Sequence, residues 1–94
     1  MKTAIVGGLV VAGLLLAGPV SASSELDKSS GCLKCHDVYK KKMGPAYIDV
    51  AMAYKGKAGA EATVVARIMD GKNHPPVKAP EADVKTIVKW ILAM

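Results

Sequence analysis

The sequence predicts a small all-α domain, and three observations support that fold class. Hydrophobic residues repeat with helical spacing wherever a period is readable, most clearly at Val84, Ile87, Val88, Ile91 and Leu92. No segment alternates polar and apolar residues as a half-buried strand does, and the sequence has no internal repeat. The 94 residues include no Phe, one Trp and three Tyr, so a core of this size needs an additional stabilising group.

Residues 1–22 are predicted to be a secretory signal peptide. Lys2 provides the positive start, residues 4–17 are apolar or glycine, and Val20-Ser21-Ala22 offers the small residues that signal peptidase recognises. The apolar run is shorter than the roughly 20 residues that a membrane-spanning helix needs, although an uncleaved membrane tether is the alternative. Cleavage after Ala22 would leave one domain, residues 23–94, with a net charge of +4.

Four helical segments are expected in that domain. The first begins near Ser23 and leads towards Cys35, with Ser24 or Asp27 near its N-cap. Glycine and proline boundaries predict helices over residues 47–54 and about 60–70, and Pro80 followed by acidic residues predicts the last, over about 80–93. Met52 is expected in the core. The residues expected on the buried face of the third helix are Ala62, Val65, Ala66 and Met69.

Both cysteines and one of the two histidines lie in the sequence Cys32-Leu-Lys-Cys35-His36. A zinc site is one interpretation, but the adjacent Cys35 and His36 are awkward ligands for one tetrahedral ion, and His74 has no partner at zinc-finger spacing. A thioredoxin-like dithiol needs strands that are not predicted, and a disulfide would leave His36 unexplained. In an exported protein the motif favours haem c attachment, with both thiols as thioethers and His36 on the iron.

At these residues the chain resembles the small monohaem class I cytochromes c of bacteria. The resemblance rests on residues 31–36, on residues 42–47 with Gly44-Pro45, and on a C-terminal helix that carries Lys89-Trp90. It implies three to five helices around one covalently attached haem. It also implies that the Pro45 carbonyl accepts a hydrogen bond from the far ring nitrogen of His36, which fixes a metal-bound imidazole. Trp90 is the remaining residue assigned to the haem site.

The chain departs from this family at the second axial ligand. The family supplies a methionine followed by two prolines before the last helix, whereas this chain has His74-Pro75-Pro76. His74 occupies the methionine's position relative to Trp90, so it is expected to bind the iron, although the loop before it is shorter than usual. A solvated loop histidine is the alternative. Met69 is the rival ligand, but its spacing favours core packing, and Met43 is expected on the proximal side.

These expectations favour an electron carrier over an enzyme, because two axial ligands leave the iron no open site. Histidine in place of methionine would lower the redox potential. A basic rim would suit redox partners with acidic surfaces, and it contains Lys34, Lys40, Lys41, Lys42, Lys55 and Lys57. The protein is expected in the periplasm, with no nucleic-acid partner and with membrane contact only through the signal peptide. The alternatives are a haem sensor in which a small molecule displaces His74, and a zinc-binding interaction module.

Overall fold

The computed structural model describes residues 22–94, which contain four α-helices and one short 3₁₀ helix. Helix α1 occupies residues 22–29, and the 3₁₀ helix spans Cys32–Lys34. The helices that follow are α2 (Tyr47–Tyr54), α3 (Ala60–Asp70) and α4 (Glu81–Leu92). No strand occurs in these residues, and the predicted all-α fold is confirmed. The predicted signal peptide, apart from Ala22, lies outside the described residues.

The helix bounds follow the glycines and prolines of the sequence. Helices α2 and α3 span the predicted residues, and α4 is one residue shorter than predicted at each end. The first segment differs, because α1 ends at Ser29 and Gly31 then takes the left-handed conformation, with φ +81°. The Gly31 amide donates a hydrogen bond to the Lys28 carbonyl in this turn. The cysteine motif therefore begins on a turn and a 3₁₀ helix, not on a continuous α-helix.

Helix α4 forms the centre of the core. Its buried residues are Val84, Ile87, Val88 and Ile91. The two isoleucines pack with Tyr47 of α2, while the two valines pack with Val65 of α3. The predicted apolar stripe of the last helix is therefore confirmed, and α4 joins two hydrophobic clusters along that stripe.

The buried face of α3 differs from the prediction. Val65 is buried, with Val64 and Ile68 packed in the same cluster. The residues that were expected on this face but are exposed are Ala62, Ala66 and Met69. Each residue turns a helix by about 100°, so Val64 and Ile68 lie on one side of Val65 and the exposed three on the other. The helix buries the side with the branched side chains, which removes more apolar area from water than two alanines would.

Helix α2 also presents a narrower buried face than its composition suggests. Tyr47 and Ala51 are buried one helical turn apart, and they define the face that packs on α4. Met52 follows Ala51 by about 100° of rotation and is 73% exposed, so the expectation that it lies in the core is wrong.

None of the helices in residues 22–94 combines the length and the hydrophobicity that crossing a membrane requires.

Candidate haem site

A narrow cleft lies between the cysteine motif, the helices α2 and α3, the loop after α3, and α4. Its lining residues are Ser30, Cys32, His36, Tyr47, Ile68, His74, Val77, Ala79, Val84, Ile87 and Ile91. Apolar walls with a few convergent polar groups are typical of cofactor sites. The structure thus brings Cys32, His36 and His74 to one place, although His74 lies 38 residues after His36 in the chain.

His36 is held on two sides by the segment that follows it. Its Nδ1 lies 2.7 Å from the Pro45 carbonyl oxygen, which is the contact that the family resemblance implies. Gly44 lies against the imidazole: a Cβ at this position would come within 2.8 Å of both ring nitrogens and would clash with Cε1. Tyr47 covers the ring as well, with the two ring centroids 5.2 Å apart. With Nδ1–H donated to Pro45, the lone pair of Nε2 is available to a metal.

His74 is oriented by its own loop. Its Nδ1 lies 2.7 Å from the carbonyl oxygen of the next residue, Pro75. The loop begins with a tight turn in which the Asp70 carboxylate accepts hydrogen bonds from the amides of Lys72 at 2.7 Å and Asn73 at 3.2 Å. These two amides hold the pKa of Asp70 below its ordinary value. Donation of Nδ1–H to Pro75 leaves Nε2 of His74 with its lone pair, as in His36.

The two imidazoles form a matched pair. Their centroids are 6.1 Å apart, and their planes differ by only 9°. Two metal–nitrogen bonds of about 2 Å each, together with the radii of two five-membered rings, give a separation of about 6 Å. The centroid distance of 6.1 Å would therefore suit His36 and His74 as two histidines that hold one metal ion between them.

Cys32 begins the 3₁₀ helix and Cys35 is its C-cap residue, and the two cysteines form no disulfide. The amides of Cys35 and His36 both donate to the Cys32 carbonyl, at 3.2 Å and 3.0 Å. Two thiols and an imidazole are thereby fixed within one tight turn, at Cys32, Cys35 and His36. This arrangement offers two sulfur atoms for two thioether bonds and places a ligand immediately after them.

The Cys32 thiol is poorly suited to act as a redox dithiol. Burial, followed by the nearby Asp27 carboxylate, raises the pKa of Cys32 to about 11. A redox dithiol acts through its thiolate, and the raised pKa of Cys32 disfavours that form at neutral pH. No group of three or more His, Cys, Asp or Glu side chains suitable for a metal ion occurs within residues 22–94.

Trp90 lies behind the cleft and does not line it. Its ring meets Tyr47 edge-on, with centroids 6.1 Å apart and an interplanar angle of 81°. Because Tyr47 covers His36, Trp90 supports the site through Tyr47. Met69, the rival ligand, is absent from the lining of the cleft. Met43, which was expected on the proximal side, is 86% exposed.

One residue of the site has no counterpart in the sequence analysis. Asp27 is 1% exposed, and it accepts a hydrogen bond of 2.6 Å from the hydroxyl of Tyr47, which is 3% exposed. The sequence presents Asp27 as a candidate helix cap, and no local pattern marks a partner 20 residues away. Only the packing of α1 against α2 shows that this carboxylate belongs to the surroundings of the cleft.

An apolar cleft with two facing imidazoles, beside a Cys-x-x-Cys-His motif in an all-α fold, defines a c-type haem protein. No protein-family model matches the chain. Cytochrome c-552 of Hydrogenobacter thermophilus is 38% identical over 93 residues, covering 92% of this chain and 95% of the relative. Cytochrome c-551 of Pseudomonas aeruginosa is 36% identical over an alignment of 102 residues, covering 99% and 98%. The chain belongs to the class I monohaem cytochromes c.

Solved structures agree with this assignment. The class 1 cytochrome MtoD of Sideroxydans lithotrophicus ES-1 matches with a TM-score of 0.70 and 36% identity, over 79% of this chain and 94% of that one. Wild-type cytochrome c552 of Nitrosomonas europaea matches with a TM-score of 0.68. The cofactor is one covalently attached haem c with its iron. The relatives are small electron carriers, a class of proteins that are generally not enzymes.

Proposed function

We propose that this chain is a periplasmic electron carrier whose haem iron is bound by two histidines. In this proposal Cys32 and Cys35 attach the haem, His36 is the proximal ligand and His74 is the distal ligand. The iron is then six-coordinate and low-spin in both oxidation states. A saturated iron exchanges electrons without binding a substrate, so the protein acts as a carrier and not as an enzyme.

The proposal rests on the matched imidazole pair. The rings of His36 and His74 lie 6.1 Å apart and nearly parallel. In each ring Nδ1 lies 2.7 Å from a proline carbonyl, which assigns the proton to Nδ1 and the lone pair to Nε2. A solvated loop histidine would need neither the position in the cleft nor this orientation.

Replacement of the usual methionine by histidine has a direct effect on redox chemistry. Methionine ligation raises the potential of cytochromes c, because the thioether stabilises ferrous iron more than an imidazole does. The proposed His36 and His74 pair therefore gives this carrier a lower potential than that of a methionine-ligated relative. It would exchange electrons with correspondingly more reducing partners.

Residues 1–22 fit export to the periplasm, and we propose residues 23–94 as the mature domain. The positive start, the short apolar run and the small residues before the cleavage point have the order of a signal peptide. Class I cytochromes c are typically periplasmic, which agrees with that interpretation. The Cys32 and Cys35 thiols would then meet haem in the compartment where the protein acts.

The surface beside the cysteine motif supports acidic redox partners. Lys34, Lys40, Lys41 and Lys42 are exposed there. Exposed apolar side chains lie among them in the sequence, with Tyr39 75% and Met43 86% exposed. Lysines around an apolar patch attract an acidic surface over long range and then allow close contact. We propose this segment as the region that meets the donor or acceptor.

Substitution of His74 tests the ligand assignment in the haem-loaded protein. Nearly parallel imidazoles predict a rhombic low-spin ferric resonance and no methionine-to-iron charge-transfer band in the optical spectrum. His74→Met is expected to raise the potential when the new thioether binds. His74→Ala is expected to give a high-spin iron that binds carbon monoxide rapidly, whereas the wild-type protein resists it. An unchanged spectrum and potential in both folded variants would contradict the assignment.

A further inference from the structure

The buried hydrogen bond between Asp27 and Tyr47 is a feature of this structure that haem attachment and axial ligation do not explain. Asp27 is 1% exposed and Tyr47 is 3% exposed. The Tyr47 hydroxyl donates to the Asp27 carboxyl group at 2.6 Å. Both groups lose their hydration on burial, so the bond favours the one arrangement of the two side chains that satisfies it. The pair therefore fixes where the hydroxyl end of the Tyr47 ring lies.

The Tyr47 ring is one of the surfaces that contact His36. The two ring centroids are 5.2 Å apart, and the ring planes differ by 29°. The Pro45 carbonyl oxygen lies 2.7 Å from Nδ1 of His36 and restrains that atom. An imidazole restrained at one nitrogen still turns about the line from its Cβ to that nitrogen. Contact with a neighbouring ring restricts this rotation, so the plane of His36 depends on the position of Tyr47.

Tyr47 is itself held at several points. Its amide donates to the Asp37 carbonyl at 3.0 Å, which fixes the start of α2 beside the segment that carries His36. Trp90 meets the ring edge-on, with an interplanar angle of 81°, and this contact limits rotation of the ring about its long axis. The remaining motion is a swing of the hydroxyl end about Cβ. The hydrogen bond to Asp27 restrains that swing.

Asp27 is anchored by the packing of its own helix. Leu26, the residue before it on α1, packs against the cluster that contains Tyr47. Cys32, after the turn that ends α1, packs against the same cluster. The Ser30 amide donates to the Leu26 carbonyl at 2.9 Å, which closes the end of the helix. The carboxyl group of Asp27 is thus held by an element that rests on the core, not by a mobile surface segment.

We propose that Asp27 is a positioning residue for the His36 imidazole. Its carboxyl group holds the hydroxyl of Tyr47, and the Tyr47 ring sets the plane of His36. The inference rests on the proposed function only in taking His36 as the proximal ligand. Asp27 acts through Tyr47 and is not itself a ligand. The difference of 9° between the planes of His36 and His74 then depends on a residue of α1.

The alternative is that the hydrogen bond only ties α1 to α2. Removal of one partner leaves the other buried and unpaired, which lowers stability under either interpretation. A loss of stability therefore does not distinguish the two. The orientation of the His36 plane does, because a simple tie between helices has no effect on it.

The first test compares Asp27→Leu with Asp27→Asn in the haem-loaded protein. Leucine has a similar size and no hydrogen-bond acceptor, whereas asparagine retains a side-chain oxygen that accepts from the Tyr47 hydroxyl. The proton shifts of the haem methyl groups and the anisotropy of the ferric resonance both follow the plane of an axial imidazole. Asp27→Leu is expected to shift both, and Asp27→Asn is expected to keep the wild-type values. Wild-type values in folded Asp27→Leu, or a shift that Asp27→Asn does not restore, would overturn the proposal.

Tyr47→Phe removes the same hydrogen bond from its other end and serves if Asp27→Leu does not fold. Asp27 also lies close enough to Cys32 to interact with its sulfur, and Tyr47→Phe leaves that contact in place. The two single variants are expected to move the haem methyl shifts alike. The double variant should move them no further, because both substitutions remove one interaction. Shifts that add in the double variant would mean that Asp27 does not act through Tyr47.

Val65→Ala is the control for a general loss of stability. Val65 is 6% exposed and packs with Val84 and Val88 in the second cluster, and it does not line the cleft. The substitution should lower the midpoint of chemical unfolding and leave the haem methyl shifts unchanged. Equal shifts in Val65→Ala and Asp27→Leu at equal loss of stability would show general loosening and would contradict a role for Asp27.

A further readout separates this inference from the assignment of His74. Failure of His74 as a ligand appears in the wild-type spectrum, as high-spin iron or a methionine-type band, before any variant is made. Exchange of the His36 Nδ1–H with D₂O, followed by NMR in the reduced protein, reports on the imidazole whatever binds the other side. Exchange should be faster in Asp27→Leu and Tyr47→Phe than in wild type and Asp27→Asn. Equal exchange rates in all four folded proteins would overturn the positioning role alone.

Discussion

At the scale of single residues, the site depends on small groups placed against large ones. Gly44 lies against the His36 ring so closely that a Cβ would come within 2.8 Å of both ring nitrogens. The neighbouring Pro45 carbonyl holds Nδ1 of the same ring at 2.7 Å. A missing side chain and a backbone oxygen together fix the imidazole, so the dipeptide Gly44-Pro45 determines the orientation of the proposed proximal ligand.

Gly44→Ala is expected to displace His36 from the Pro45 carbonyl. The added methyl group overlaps the ring, and overpacking of this kind costs about 1–3 kcal/mol of folding free energy. The haem spectrum should change with the stability, because the proximal imidazole is tilted or released. Chemical unfolding and the optical spectrum of the haem-loaded variant measure the two effects.

Gly56→Ala is the matched control for that substitution. Gly56 has φ +76°, and a Cβ there meets open space, so alanine adds only backbone strain of about 1–2 kcal/mol. This variant should lose stability and keep the wild-type haem spectrum. If Gly44→Ala also kept that spectrum, the contact between Gly44 and His36 would have no role in orienting the ligand.

At the scale of helices and loops, the sequence predicts where the helices begin and end, but it does not predict which helix faces are buried. Glycines and prolines set the ends of α2 and α3, and both were predicted correctly. The buried side of α3 was not, because Val65 is flanked by apolar residues on both sides and only contact with α4 selects Val64 and Ile68. The hydrogen bond between Asp27 and Tyr47 joins two helices, and no short-range sequence pattern predicts it.

The loop after α3 leads to a prediction about pH. The Asp70 carboxylate accepts the amides of Lys72 and Asn73, which lower its pKa from the ordinary 3.8. A lowered pKa means that the ionised carboxylate stabilises the turn above the ordinary value and that this contribution is lost as pH falls through the lowered one. The turn that positions His74 is therefore held at neutral pH and released in acid.

Asp70→Ala removes this hold at every pH. Acid is expected to release His74 from the iron, because protonation competes with the metal. In the variant the conversion to high-spin iron should occur at a higher pH than in wild type, because the turn no longer holds His74 in place. An acid titration followed by optical absorption measures the midpoint. Asp49→Ala, which removes an exposed carboxylate from α2, should leave the midpoint in place, and an equal midpoint in Asp70→Ala would show that the turn does not support His74.

At the scale of the whole molecule, the net positive charge contrasts with the apolar lining of the cleft. The 94-residue chain has a net charge of +5, while its cleft is lined mainly by apolar groups. Fold class and the cysteine motif were accessible to sequence reasoning because both depend on short-range patterns. The parallel setting of His36 and His74 was not, since it depends on how two loops meet.

The basic segment predicts how the protein meets its partners. Replacing Lys40, Lys41 and Lys42 by Glu should slow association with an acidic redox partner by roughly tenfold or more at low ionic strength. The difference from wild type should shrink as salt screens the charges. Stopped-flow electron transfer measures both rates. Lys89→Glu, on the exposed side of α4, is a control outside the segment, and a similar loss per charge there would argue for a diffuse field in place of a local docking surface.

The hydrogen bond between His74 and Pro75 has a consequence for how such proteins diversify. His36 takes its orientation from Pro45, nine residues away, whereas His74 takes its orientation from the adjacent residue and from a turn anchored at Asp70. The hydrogen bonds that orient His74 and its turn thus lie within residues 70–76. Exchange of residues 70–76 between members of the family would transfer the proposed distal ligand, His74, together with the hydrogen bond that orients it, and would leave the segment around His36 unchanged.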